Sequence, residues 1–91
     1  MVSVAKRFGA NLARERRRAG LSQEELGVRA SLHRTAVGQL ERGERTARLD
    51  SFVKLAGSLG ISPCDLLDGI GWEPGGTRLG VFEFPDKGAT L

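Results

Sequence analysis

Apolar residues recur along the first two thirds of the chain at the three- and four-residue spacing of amphipathic helices. This pattern predicts five helices, over residues 4–19, 23–30, 34–42, 49–59 and 63–67 or 68. The second and third helices are short and are separated by a tight turn. Two short helices joined in this way are typical of a helix-turn-helix, whose second helix enters the major groove of DNA.

Signals at the helix ends support these bounds. The sequence SQEEL at residues 22–26 forms a capping box, and the Ser-Pro pair at residues 62–63 places an N-cap residue before a proline at the first helical position. Glycine follows the first, third and fourth helices, where it commonly ends a helix. His33 stands at the N-cap of the third helix, where Ser or Thr would cap better.

The pattern changes near residue 69. Residues 69–76 are rich in glycine and proline and predict a linker or turn, whereas residues 77–84 are rich in β-branched and aromatic residues and predict one strand. Residues 1–69 are thus expected to form the helical domain and residues 70–91 a tail. Because no second strand is predicted, the tail strand is expected to pair outside this chain, in dimerisation or partner binding.

Charge is unevenly distributed along the chain. Residues 1–48 hold 11 lysines and arginines against five acidic residues, and residues 49–91 hold three against six. The basic half suggests a polyanionic partner, although runs of charge are often solvated surface.

Other classes of protein find little support. One cysteine and one histidine allow neither an intrachain disulfide nor an ordinary zinc site, and no apolar run predicts a signal peptide or a membrane span. No nucleophile–base pair or phosphate loop indicates an enzyme. We expect a cytoplasmic protein that uses no cofactor, metal or small-molecule ligand.

The third helix carries an unusual residue at its centre. Gly38 costs about 1 kcal/mol relative to alanine. It lies on the polar face opposite the apolar stripe, with Arg34, Thr35, Gln39 and Arg42. A face without bulk could approach the bases or the backbone of DNA closely. The structural alternative is a tolerated weak point on an exposed surface.

Three segments carry a resemblance to a known family. LSQEELGVRASLHRTAVGQLERG at residues 21–43, LDSFVKLAGSLGISPCDLL at residues 49–67 and the lead-in FGANLARERRRAG at residues 8–20 strongly resemble the lambda-repressor-like, or XRE, helix-turn-helix family. The resemblance covers about residues 4–68. It implies an all-α fold of five packed helices, followed here by the strand-bearing tail, and sequence-specific DNA binding, usually as a two-fold dimer.

The resemblance also implies roles for single residues. The base-contacting positions of the recognition helix, at about residues 33–42, are His33, Arg34, Thr35, Gly38 and Gln39. The phosphate-contacting positions are Gln23, Arg42 and Arg45. Arg16 and Glu41 match an ion pair that ties the first helix to the end of the third.

The sequence departs from the family pattern around the turn. Ser31 replaces the usual glycine and must therefore bear a left-handed conformation or shift the turn. His33 replaces a Ser or Thr cap, and Arg48 stands where a cap for the fourth helix is expected.

The leading hypothesis is a bacterial DNA-binding transcriptional regulator, acting as a dimeric repressor that reads double-stranded DNA with its third helix. The alternative is a protein-interaction module such as an antitoxin that binds a toxin through the tail. A helix-turn-helix followed by one strand is similar in layout, though not in residues, to HipB-type antitoxins, whose strands pair across the dimer. In either case the expected dimer or partner strand presents Leu79, Val81, Phe82 and Phe84.

Overall fold

A computed structural model describes residues 2–85. Within that range the chain forms five helices followed by a two-stranded antiparallel sheet. The helices are α1 (Val4–Arg18), α2 (Gln23–Ala30), α3 (Arg34–Glu41), α4 (Leu49–Leu59) and α5 (Pro63–Leu66), and the strands are β1 (Gly71–Glu73) and β2 (Val81–Glu83). All five predicted helices are present, with bounds that differ from the prediction by at most two residues.

The helices enclose one apolar core, to which every helix contributes. Its buried members are Phe8, Leu12, Leu21, Leu26, Ala30, Val37, Leu40, Leu55, Ala56 and Leu66. The edge of the Phe8 ring meets Phe52 of α4, with the ring centroids 5.8 Å apart. None of the helices within residues 2–85 is long and apolar enough to span a bilayer.

A buried polar side chain fastens α1 to the end of α5. The Asn11 amide donates to the carbonyl oxygens of Leu66 at 3.0 Å and Asp68 at 2.8 Å, and its own oxygen accepts from Arg14 at 2.9 Å. Because Asn11 is only 2% exposed, these hydrogen bonds replace those that its amide would make to water. They fix the point at which the chain leaves the helical domain.

The turn between α2 and α3 has the strained residue that the sequence indicated. Ser31 adopts the left-handed conformation, with φ 55° and ψ 42°, and its backbone N–H continues the hydrogen bonding of α2. Gly27 allows the chain to fold back tightly, because a Cβ there would lie 2.6 Å from the carbonyl oxygen of Leu32. The serine therefore bears the left-handed conformation, and α2 ends at Ala30 as predicted.

The tail differs from its prediction. It contains two strands in one hairpin, with Gly71 opposite Glu83, Trp72 opposite Phe82 and Glu73 opposite Val81. The prediction of a lone strand over residues 77–84 without a partner in this chain was therefore wrong, and the strand is limited to Val81–Glu83. The segment predicted as a linker supplies the missing strand, because Trp72 contacts Phe82 edge-to-face at 5.0 Å.

Contacts with α1 anchor the far end of the hairpin. Arg7 donates to the carbonyl oxygen of Pro85 at 3.4 Å, and its guanidinium lies 5.9 Å from the centroid of the Phe84 ring. Phe84 is consequently half-buried, whereas Leu79, Val81 and Phe82 are exposed. The four residues expected on the partner strand therefore do not form one uniform exposed surface.

Candidate nucleic-acid interface

The N-terminal end of α3 projects from the domain. His33 caps the helix, because its Nδ1 accepts a hydrogen bond from the backbone N–H of Thr35 at 3.1 Å. His33, Arg34 and Thr35 are all exposed, while Val37 and Leu40 on the opposite side of the helix are buried in the core. The apolar stripe thus fixes the orientation of α3 and leaves its first turn free to contact another molecule.

The middle of the polar face is more covered than the sequence suggested. Gly38 is buried, and a Cβ built on it would lie 3.0 Å from Nη1 of Arg42 and 3.5 Å from Oε1 of Gln23. Gln39 is half-buried. The absent side chain at Gly38 therefore provides room for the Arg42 guanidinium to lie back across α3, and Gly38 is not an open gap on the helix surface.

A hydrogen-bonded ion pair connects α3 to α1. Arg16 binds Glu41 through two nitrogens, with Nε–Oε2 at 2.6 Å and Nη2–Oε1 at 3.0 Å, and its Nη1 donates to the carbonyl oxygen of Leu21 at 2.8 Å. Gln23 adds a third donor to Glu41 at 3.1 Å. The hydrogen bond from Arg16 to Glu41 also raises the pKa of Arg16 above its ordinary value.

This network determines how two predicted DNA-binding elements meet. Glu41 lies at the C-terminal end of α3 and Gln23 at the start of α2, so the shared carboxylate holds the two helices of the motif in a fixed relation. The Gln23 amide is also oriented before any ligand arrives. A bidentate arginine–carboxylate pair gives geometric specificity as well as energy.

Two acidic side chains accompany the exposed arginines of α3. Glu24 Oε2 lies 3.6 Å from Arg34 Nη1, with both side chains largely exposed. Glu44 accepts a hydrogen bond from Arg42 Nε immediately after the helix. Sequence reasoning assigned no role to either acid. The spacing of Arg42 and Glu44 was visible in the sequence, whereas the approach of Glu24 to Arg34 depends on how α2 and α3 pack.

The structure brings some of the predicted site residues together. Gln23 and Arg42 meet over Gly38, Arg34 and Thr35 lie at the exposed start of α3, and Arg45 is exposed in the loop that follows. A helix with an exposed polar first turn, flanked by arginine and amide side chains, has the dimensions and donors needed to enter a major groove.

Comparison with known proteins agrees with this geometry. A model of the helix-turn-helix family HTH_3 matches residues 12–66, more than half of the chain. The chain belongs to this family. It is a DNA-binding transcriptional regulator of the lambda-repressor-like class, as the resemblance in the sequence implied.

Similar proteins include regulators and controller proteins. Control protein C.BamHI of Bacillus amyloliquefaciens is 43% identical over 51 residues, which are 56% of this chain and 63% of that protein. The uncharacterized HTH-type transcriptional regulator y4dJ of Sinorhizobium fredii is 36% identical over 77 residues, covering 85% of this chain and all of that protein. The chain thus spans less than two thirds of C.BamHI but the full length of y4dJ.

A solved structure extends the comparison to the fold. The restriction-modification controller protein C.AhdI from Aeromonas hydrophila superposes with a TM-score of 0.67 at 42% sequence identity. The superposition covers 68% of this chain and 94% of that one. Nearly all of C.AhdI is therefore matched while about a third of this chain is not.

Proposed function

We propose that this protein is a transcriptional repressor that binds its operator as a two-fold dimer and reads the major groove with α3. The observation that carries the proposal is the exposed first turn of α3, held in a fixed orientation by Glu41, Arg16 and Gln23. Bound at a promoter, such a dimer would block access of RNA polymerase.

Individual contacts follow from side-chain chemistry. Arg34 would donate two hydrogen bonds to O6 and N7 of a guanine, and Gln39 would pair with an adenine after turning outward from its half-buried position. The Thr35 methyl group would contact a thymine methyl group. His33 and Gly38 complete the base-facing set of the family pattern, although Gly38 meets DNA only where the side chains covering it move aside.

Phosphate contacts would fix the position of the motif on the duplex. Gln23 lies at the start of α2 with its amide held by Glu41. Arg42 and Arg45 lie at and beyond the end of α3, and both are exposed. These side chains would bind the backbone on either side of the groove, which sets register without reading sequence.

We place the dimer contact on α4 in preference to the tail. Leu49 and Val53 are 77% and 57% exposed and are one helical turn apart on α4. Leu49 also lines an open apolar groove with residues that include Phe8, Phe52 and Leu67. The hairpin, in contrast, already pairs its two three-residue strands with each other, so each outer edge offers few further hydrogen bonds.

A narrower role is suggested by the similar proteins. Two of them, at 43% and 42% identity, are named as a control protein and as a restriction-modification controller protein. We therefore propose that this protein controls the transcription of restriction-modification genes, including its own. The antitoxin alternative loses its support, because the lone strand on which it rested is half of an intrachain hairpin and none of the relatives named above is called an antitoxin.

The test is binding to the DNA upstream of the protein's own gene, compared with a random duplex of equal length at several salt concentrations. We expect a preference of about a thousandfold or more, which a variant with both Arg34→Ala and Gln39→Ala loses. A matched variant, Arg29→Ala, removes an exposed arginine at the end of α2 and should retain the preference. Equal binding to both duplexes, with only a steep salt dependence, would contradict the proposal.

A further inference from the structure

An ion pair occupies the surface that the end of α3 offers to DNA. Arg42 donates from Nε to Glu44 Oε2, and the two side chains are 58% and 50% exposed. The same guanidinium extends back over Gly38 beside Gln23. The carboxylate of Glu44 therefore binds a guanidinium that is shared with the proposed phosphate-binding surface.

A second cation borders this pair. Gly43, with φ 71°, packs directly on Lys6, since a Cβ there would lie 2.6 Å from Lys6 Cγ and 2.8 Å from its Cα. The hydrogen bond from Arg42, followed by the charges of Arg42 and Lys6, holds the pKa of Glu44 below its ordinary value. Glu44 is therefore a carboxylate anion at neutral pH, as an ordinary glutamate also is.

A carboxylate bound to an arginine beside a lysine resembles, in charge and in acceptor atoms, a phosphate bound by the same groups. Both anions accept hydrogen bonds from arginine in the same fork geometry, so one can replace the other on the same donors. An ion pair that is this exposed adds little to the stability of a fold and is easily exchanged. If Glu44 stayed in place, its charge would instead repel the backbone of an approaching duplex.

We propose that Glu44 is an internal competitor of DNA: its carboxylate binds Arg42 in the free protein, and a backbone phosphodiester group displaces it, with Lys6 as the neighbouring cation. The inference rests on the proposed function, because the duplex must meet this end of α3. Glu44 would thereby lower operator affinity, and it would do so without contacting a base.

The opposite role for Glu44 makes the opposite prediction. Only Arg42 Nε is engaged by Glu44, so the carboxylate could hold the guanidinium in place while its other nitrogens bind phosphate. Removing the charge would then weaken DNA binding. If Glu44 competes with DNA for Arg42, removing its charge raises the affinity for DNA. If Glu44 holds Arg42 in place for DNA, removing its charge lowers that affinity, so the sign of the change separates the two roles.

The experiment uses the full chain and fluorescence anisotropy with a labelled duplex from upstream of the gene. We expect Glu44→Gln to bind about two- to fivefold more tightly than the unaltered protein at low salt. Its affinity should also fall more steeply with salt, because in the unaltered protein the carboxylate that the phosphate displaces takes up a cation and so reduces the net release of counterions. Glu73→Gln, an exposed substitution on the hairpin, changes the net charge equally and should leave affinity nearly unaltered. An equal effect in both variants, or weaker binding by Glu44→Gln, would overturn the inference.

A second pair of variants tests whether Glu44 acts through Arg42. In an Arg42→Ala background, Glu44→Gln should give no further gain, since no guanidinium remains to be released. If Glu44→Gln raises the affinity for DNA equally in that background, Glu44 acts by repelling the DNA directly. That result would overturn the proposal that it competes for Arg42. The proposed function is judged separately, by whether the unaltered protein prefers the upstream duplex to a random one; absence of that preference would refute both proposals.

Discussion

Removing the guanidinium of Arg16 should severely destabilise the domain. The side chains of Arg16 and Glu41 are only 12% and 6% exposed, so the pair is largely shielded from water. In Arg16→Met, Glu41 loses two hydrogen bonds and keeps the one from Gln23, while the carbonyl oxygen of Leu21 loses its side-chain donor. Breaking a fully buried ion pair by removing one partner costs about 3–5 kcal/mol. Because this pair is only partly buried, we expect a cost of about 2–3 kcal/mol.

That cost is large compared with the whole stability of a small domain, which is about 5–15 kcal/mol. Urea unfolding followed by circular dichroism should therefore show a much lower midpoint for Arg16→Met with an unchanged slope. The matched control is the double variant Arg16→Met/Glu41→Leu, which leaves no unpaired charge and should recover most of the loss. Gln23 would then turn to water, because it is only half-buried.

The reasoning would be refuted by a single variant that loses less than about 1 kcal/mol, which is the value typical of an exposed pair. It would also be refuted by a double variant as unstable as the single one, because the loss would then not come from an uncompensated charge.

Three further predictions follow from the geometry. Ser31→Gly should raise the free energy of unfolding by about 0.5–1 kcal/mol, because glycine adopts φ 55° without the strain of a side chain; an unchanged or lower urea midpoint would contradict this. The pKa of Glu25 is lowered by hydrogen bonds from the backbone and side chain of Ser22. The Glu25 carboxylate therefore stabilises the folded state at pH values above its ordinary pKa of 4.5, and this stabilisation is lost as the pH falls through the lowered pKa. Glu25→Gln should accordingly flatten the decline of the urea midpoint on acidification, and an unaltered profile would refute that role. Polar substitution of both Leu49 and Val53 should give a monomer in sedimentation equilibrium. Polar substitution of two exposed hairpin residues should leave the dimer intact. The reverse result would show that the dimer forms through the tail.

Local signals allowed most of the helical fold to be predicted. The capping box at Ser22 and Glu25 forms as expected, with the Ser22 hydroxyl accepting from the Glu25 backbone at 3.0 Å and the Glu25 carboxylate accepting from the Ser22 backbone at 2.9 Å. The Ser62 hydroxyl likewise accepts from the Cys64 backbone at 3.2 Å. Such contacts span two or three residues, so the sequence pattern contains them completely.

The wrong prediction of the tail and the unforeseen cover of Gly38 both concern side-chain contacts that the sequence pattern does not specify. Trp72 lies in a stretch of glycine and proline that has no strand pattern of its own, and it forms a strand by pairing with Phe82, whose ring it also contacts. Gly38 seemed an open position because helical periodicity cannot show that the Arg42 side chain lies across it. Pairing with a separate segment decided the case of Trp72. At Gly38 the deciding feature is the orientation of a side chain four residues later, which the spacing of apolar residues does not specify.

The central claim is that α3 reads bases as half of a symmetric dimer. The most direct measurement is selection of binding sites from a random duplex library, with the unaltered protein and with Arg34→Ala in parallel. The account predicts a two-fold symmetric site whose half-sites are centred about one helical turn apart, and loss of the preference for one guanine in each half-site when Arg34 is replaced. An enriched site without symmetry, or one that stays the same in Arg34→Ala, would contradict it.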